Sequence, residues 1–130
     1  ATAAATTLLA AAARANYSMP PDHGAAIVQT IMESPELSSD WDAELKEIRD
    51  RINSLRALLV ARLQSAAVDQ DFSFIEKEKG MFSFLGVNKD QIQSLIQQYS
   101  IYLVGSSRIN IASINDDNID YLVESIKAVL

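Results

Sequence analysis

Two arginines carry most of the chemical interest of this 130-residue chain. Arg108 sits in the stretch GSSRINIAS, residues 105–113, where small polar residues give way to a β-branched run. Arg14 stands just ahead of NYSMPPDHG, residues 16–24, whose prolines and glycine stop a helix arriving from the N-terminal side. A guanidinium is a planar, permanently charged fork that can give two parallel hydrogen bonds to a carboxylate. Each arginine therefore has the form of an anion clamp. Taken alone, each also has a plain structural explanation. A cation at a helix C-terminus is favoured by about 0.3–1 kcal/mol, which accounts for Arg14, and a solvated charge at a strand start accounts for Arg108. Spacing and composition by themselves favour the structural reading.

Other chemistries have little to draw on. There is no cysteine, which removes disulfides, zinc–thiolate sites and thiol nucleophiles. It is also compatible with a reducing compartment. The single histidine, His23, lies in a proline-flanked turn, where starting a helix explains it better than catalysis does. No His-based metal site can be built from it. The four glycines are scattered, so no phosphate-cradling loop is present. Asp116 and Asp117 read as acids placed at the start of a helix rather than as an acid–base pair. The balance of 11 basic and 17 acidic residues, a net charge of −6, offers no basic patch for nucleic acid or an anionic membrane. The richest basic stretch, Lys46 to Arg62, alternates with acids as a solvated helix face does. No apolar run approaches the roughly 18 residues of a membrane span. The opening ATAAATTLLAAAA lacks a basic n-region and is not read as a signal peptide.

The elements that must position the arginines follow from periodicity. Residues 24–34 read as a short amphipathic helix. Ser34-Pro35 then supplies an N-cap and a first-turn proline. From there to about Ala67, Trp41, Leu45, Ile48, Ile52, Leu55, Leu59 and Leu63 recur at spacings of three and four, forming one apolar stripe on a helix of more than thirty residues. Beyond Val68 the pattern changes. DFSFIEKE alternates as a strand, and with KGMFSFLG it forms a hairpin turning at Gly80. Asn88 with Gln91 three residues later opens a helix with a capping box, whose inner face is Ile92, Leu95, Ile96 and Tyr99. IYLVG reads as a short buried strand and RINIAS as another. A final helix starts from Asn115 as N-cap, with Lys127 near its end. The expected class is α+β: a small sheet with helices packed on it, joined to the rest by the long helix.

At this point the residues resemble a known family. RANYSMPPDHGAAIV is similar to the RANYSNPPAHGA segment of bacterial aspartate and aromatic amino-acid aminotransferases. DFSFIEKEKGMFSFLGVNKDQI, YSIYLVGSSRINIAS and DNIDYLVESIKAVL resemble the final part of the same enzymes, in the same order. The resemblance implies the C-terminal part of a fold type I, pyridoxal-phosphate-dependent transaminase. Residues 1–34 would be the end of the large cofactor-binding domain and an inter-subunit segment, 35–67 the linking helix, and 68–130 the small domain.

The resemblance also implies roles. Arg108 matches the arginine that grips the substrate α-carboxylate. Arg14 matches the one that reaches into the neighbouring subunit's site and meets the distal carboxylate. Phe82 matches a phenylalanine lining the substrate pocket, and Tyr17, Ser18 and Met19 lie in the inter-subunit segment beside it. Substrates would be an aromatic or dicarboxylic amino acid and a 2-oxo acid, handled by a cytoplasmic homodimer. The sequence departs from the family at Met19, where asparagine is usual, and at Ser107 and Ser113, where glycine is usual. The SxSK motif carrying the Schiff-base lysine does not occur, so this chain alone is expected to bind no pyridoxal phosphate and to be inactive. The competing reading is a free-standing α+β interaction module without catalysis.

Overall fold

The computed structural model describes residues 2–130. Its elements are α1 (Thr2–Asn16), α2 (His23–Glu33), α3 (Pro35–Ser65), α4 (Phe74–Lys77), β1 (Phe82–Phe84), α5 (Lys89–Tyr99), β2 (Arg108–Asn110), a 3-10 turn (Ile111–Ser113) and α6 (Ile119–Val129). The chain is thus mostly helical, with one small antiparallel sheet. It divides into two compact units, one ending at Glu44 and one running from Leu45 to Leu130.

In the first unit, α1 and α2 bury no residue. Alanine, the strongest helix former, fills much of α1, and Arg14 lies in its last turn as expected. The Thr6 and Thr7 hydroxyls donate back to the Thr2 and Ala3 carbonyls at 3.0 Å. α2 begins at His23. Between α2 and α3, Ser34 is extended, and its Oγ accepts from the Leu37 amide at 3.3 Å, with Pro35 as the first helical residue.

α3 is unbroken over 31 residues. Its apolar stripe does not have one fate. Ile52, Leu55, Leu59 and Leu63 are buried, whereas Trp41, Leu45 and Ile48 are 41%, 44% and 55% exposed. The buried part joins Phe72, Ile75, Leu85, Val87, Ile92, Ile109, Ile111, Ile114, Ile119, Val123 and Ile126 in one core. Burying a leucine side chain of this kind is worth roughly 1.5–3 kcal/mol.

β1 and β2 pair antiparallel with Phe82 opposite Asn110, Ser83 opposite Ile109 and Phe84 opposite Arg108. Ser83 and Ile109 point inward in the two strands. Because side chains alternate across a strand, Phe82, Phe84, Arg108 and Asn110 share the outer face.

Several sequence expectations are corrected here. Residues 71–78 are not a strand. Phe72 and Ile75, three apart, are the buried positions, and Phe74 is 37% exposed. The Asp71 carboxylate takes the Ser73 amide at 2.8 Å, which turns the chain into the single helical turn α4. No hairpin therefore forms at Gly80. That glycine, at φ 84, leads into β1, whose partner is β2 beyond α5. Residues 101–104 form no strand among the described residues, and Tyr102 is 80% exposed rather than buried. β2 stops at Asn110 because its Oδ1 accepts from the Ala112 amide at 3.1 Å and draws the chain into the 3-10 turn. Asn118, not Asn115, stands at the N-cap position of the last helix, and its side chain makes no capping bond to that helix. Asn115 Oδ1 instead accepts from the amides of Asp117 and Asn118 at 3.0 Å in the turn before it. The α5 capping box forms as expected, with Asn88 Oδ1 accepting from the Gln91 amide at 2.9 Å and Gln91 Oε1 accepting from the Asn88 amide at 2.8 Å.

Candidate functional site

Arg108 opens β2 on the exposed face of the sheet. Its guanidinium carbon lies 4.5 Å from the centre of the Phe82 ring, a cation–π contact that holds the charge over the ring. No carboxylate pairs with Arg108 among the described residues. Its hydrogen-bonding edge is therefore available to an anion. Arg108, Phe82 and Asn110 line a cavity of about 370 Å³, whose other walls include Tyr102, Val104 and Tyr121. The Tyr121 hydroxyl donates to the Tyr99 carbonyl at 2.7 Å, tying α6 to the end of α5.

The backbone before Arg108 is tightly held. Ser107 is 4% exposed and adopts φ 61, the left-handed region that favours glycine. Its amide donates to the Val104 carbonyl at 2.9 Å and its carbonyl accepts from the Leu85 amide at 3.0 Å. Its Oγ accepts from the Gly86 amide at 3.1 Å, a bond that glycine could not make. Ser113 behaves differently. It is not among the residues with positive φ, and its hydroxyl donates to the Asn110 carbonyl at 2.7 Å. Of the two serines found where the family pattern has glycine, only Ser107 occupies glycine's conformation.

The inner side of β1 holds a group that the sequence reading did not single out. Arg56 of α3 is 1% exposed. Its Nη1 donates to the Ile75 carbonyl at 3.0 Å and to Ser83 Oγ at 2.6 Å. Its Nη2 donates to the Gly80 and Phe82 carbonyls, both at 2.8 Å. Glu78 supplies the counter-charge at 3.5 Å and also accepts the Ser83 hydroxyl proton. The signal was present: Arg56 follows Ile52 by four and precedes Val60 by four, in phase with the buried face of α3.

Arg14, Tyr17, Ser18 and Met19 belong to the first unit. Tyr17 and Met19 are 55% and 80% exposed. Ser18 turns the chain at φ 63, with the Met19 amide donating to the Tyr17 carbonyl at 2.7 Å. Arg14 has no ion-pair partner among the described residues. The structure thus brings Arg108 and Phe82 into contact, while Arg14 belongs to the last turn of α1 in the first unit. Among the described residues no cluster of metal-binding side chains occurs, and no helix is long and apolar enough to cross a membrane.

Residues 1–126 match the aminotransferase class I and II family. The aspartate aminotransferase of Salmonella typhi is 48% identical over 119 residues, which is 92% of this chain and 30% of that protein. The aromatic-amino-acid aminotransferase of Paracoccus denitrificans is 42% identical over 113 residues, 87% of this chain and 29% of that protein. The crystal structure of the Burkholderia pseudomallei aromatic-amino-acid aminotransferase, covalently bound to pyridoxal phosphate, superposes with a TM-score of 0.86 at 46% identity, over 90% of this chain and 29% of that one. The chain therefore spans about 30% of the length of the curated relatives it matches.

Proposed function

The chain belongs to the class I and II aminotransferases, and on that premise we propose that it is the C-terminal part of a pyridoxal-phosphate-dependent transaminase. The parent would move an amino group between an aromatic or dicarboxylic amino acid and a 2-oxo acid. Residues 1–34 would close the large domain and cross between subunits of a cytoplasmic homodimer, 35–67 would link the domains, and 68–130 would form the small domain.

The observation that carries the reading is the unpaired Arg108 guanidinium, set over the Phe82 ring at a cavity with an apolar wall. A carboxylate arriving there meets two parallel donors on one edge of the fork. The ring beneath blocks one face from water and limits rotation of the side chain. The substrate is then fixed by its α-carboxylate, which sets the orientation of the bonds at Cα. Within the same proposal, Arg14 meets the distal carboxylate of aspartate or glutamate in the neighbouring subunit's site, beside Tyr17, Ser18 and Met19.

Pyridoxal phosphate, when bound, supplies the electron sink for bond breaking at Cα. The lysines of this chain do not fit the role of its anchor. Lys46, Lys77, Lys79, Lys89 and Lys127 are all exposed, and none lines the cavity holding Arg108. The anchoring lysine is assigned to the part of the parent outside this chain, and no residue here is assigned to the cofactor. Replacing Arg108 by alanine in the full-length enzyme should lower kcat/KM for aspartate at least tenfold, about 1.4 kcal/mol. A smaller loss removes the clamp assignment.

A further inference from the structure

Two arginines address the same short strand from opposite sides. Arg108 stacks on the Phe82 ring from outside. Arg56 holds the backbone from inside, through the carbonyls of Gly80 and Phe82 and the hydroxyl of Ser83. We propose that Arg56 is a positioning residue for the carboxylate clamp: it sets β1, β1 sets the Phe82 ring, and the ring sets where the Arg108 guanidinium lies. The inference rests on the proposed role of Arg108.

The chemistry fits a positioning role better than a purely stabilising one. A buried ion pair is weak support for stability, because desolvation offsets most of its attraction. Here a fully buried guanidinium spends four donations on the Phe82 carbonyl of β1, the Gly80 carbonyl just before it, the Ser83 hydroxyl and the Ile75 carbonyl, with the Glu78 carboxylate beside it. Its planar geometry demands that these acceptors lie in one plane, which fixes where the strand can sit. Lysine would keep the charge but could not hold both carbonyls and the hydroxyl in that plane. Arg51 of the same helix does a related service for the other strand. It donates to the Ala112 and Ile114 carbonyls at 3.2 and 3.3 Å, just past β2.

The test compares Arg56→Lys with the parent enzyme in steady-state kinetics with aspartate. A displaced clamp weakens carboxylate binding in the ground and transition states alike, so KM rises at least about fivefold while kcat stays within about twofold. A residue that only supports folding would lower kcat through loss of active protein and leave KM in place. That second pattern, or an unmoved KM, overturns the proposal. Ser83→Ala, which removes one acceptor and keeps the charge pair, should raise KM about twofold to threefold. It decides the matter if Arg56→Lys does not fold, since an unmoved KM in Ser83→Ala then overturns the proposal. Arg62→Gln, at an exposed pair with Asp120, should change neither constant. Arg108→Lys in the same assay separates the two readings. If it leaves KM unchanged, the clamp and this proposal fall together. If it raises KM and the Arg56 and Ser83 variants do not, only this proposal falls.

Discussion

The two compact units of this chain are helical for different reasons. In the unit ending at Glu44, helix formation is local. α1 is rich in alanine and buries nothing, and Leu8, Leu9, Ile27, Val28 and Met32 are all exposed. In the unit from Leu45 onward, the helices are held by a shared core, and every buried hydrophobic residue of the described chain lies there. The contrast runs through α3 itself, where one stripe is exposed at Trp41, Leu45 and Ile48 and buried from Ile52 onward. A hydrophobic period thus says which face of a helix is apolar, but only packing decides whether that face is covered.

The largest test of the contrast is a pair of leucines. Leu59 is fully buried and Leu9 is 72% exposed. Leu59→Ala should cost about 2–5 kcal/mol of unfolding free energy, from lost burial and the cavity left behind. Leu9→Ala in the same chain should cost less than about 0.5 kcal/mol. Urea titration of both variants measures the difference, and equal losses would mean that α1 is stabilised by burial after all.

A second pair sharpens the comparison at the backbone, within the well-packed unit. Ser100 caps α5 at φ 54, and among the described residues its side chain makes no hydrogen bond that would offset the left-handed conformation. Ser100→Gly should therefore raise stability by about 1 kcal/mol. Ser107, at φ 61, is strained in the same way but has its Oγ bonded to the Gly86 amide. Ser107→Gly gains the relief and loses a bond worth about 0.5–1.5 kcal/mol, so the thermal midpoint should barely move. A large gain at Ser107 would show that the Oγ bond contributes nothing. A large loss would show that the bond is what holds the loop before Arg108.

How far the sequence could be read follows the same division. Elements that depend on neighbouring residues were legible: Ser34-Pro35 starting α3, the Asn88–Gln91 box starting α5, Arg14 closing α1. Elements that depend on distant partners were not. β1 finds β2 across α5, and nothing local in FSF names that partner. Phe72 and Phe74 alternate as a strand would, yet the core takes Phe72 and Ile75, and the chain turns helical to deliver them. Arg108 and Phe82 came forward as candidate site residues only through the family resemblance, since composition alone favoured a bland surface arginine; what the structure adds is their contact. Arg56 was missed because a charge on an amphipathic helix is ordinarily assigned to solvent. Only its phase with Ile52 and Val60 marks it as buried.

The smallest effect expected is a titration at the turn where the strand reading failed. The Asp71 carboxylate is held below its ordinary value of 3.8, first by the Ser73 amide, then by the Ser73 hydroxyl at 3.0 Å, with the charge of Lys77 adding a little. Both bonds favour the ionised form in the folded chain. A carboxyl whose folded value is depressed binds its proton more readily when unfolded. Its contribution is therefore complete above the unfolded value and is lost as pH falls through the folded one. Asp71→Asn removes that titration while leaving an oxygen that can still accept from the Ser73 amide. The midpoint difference between the two proteins should be constant at neutral pH and shrink as pH drops below about 4. Because the carboxylate is solvent-exposed, the change should be modest and should serve mainly to locate the turn. A difference that stays flat down to pH 2 would show that Asp71 does not hold α4, and that the burial of Phe72 and Ile75 alone selects helix over strand at residues 71–78.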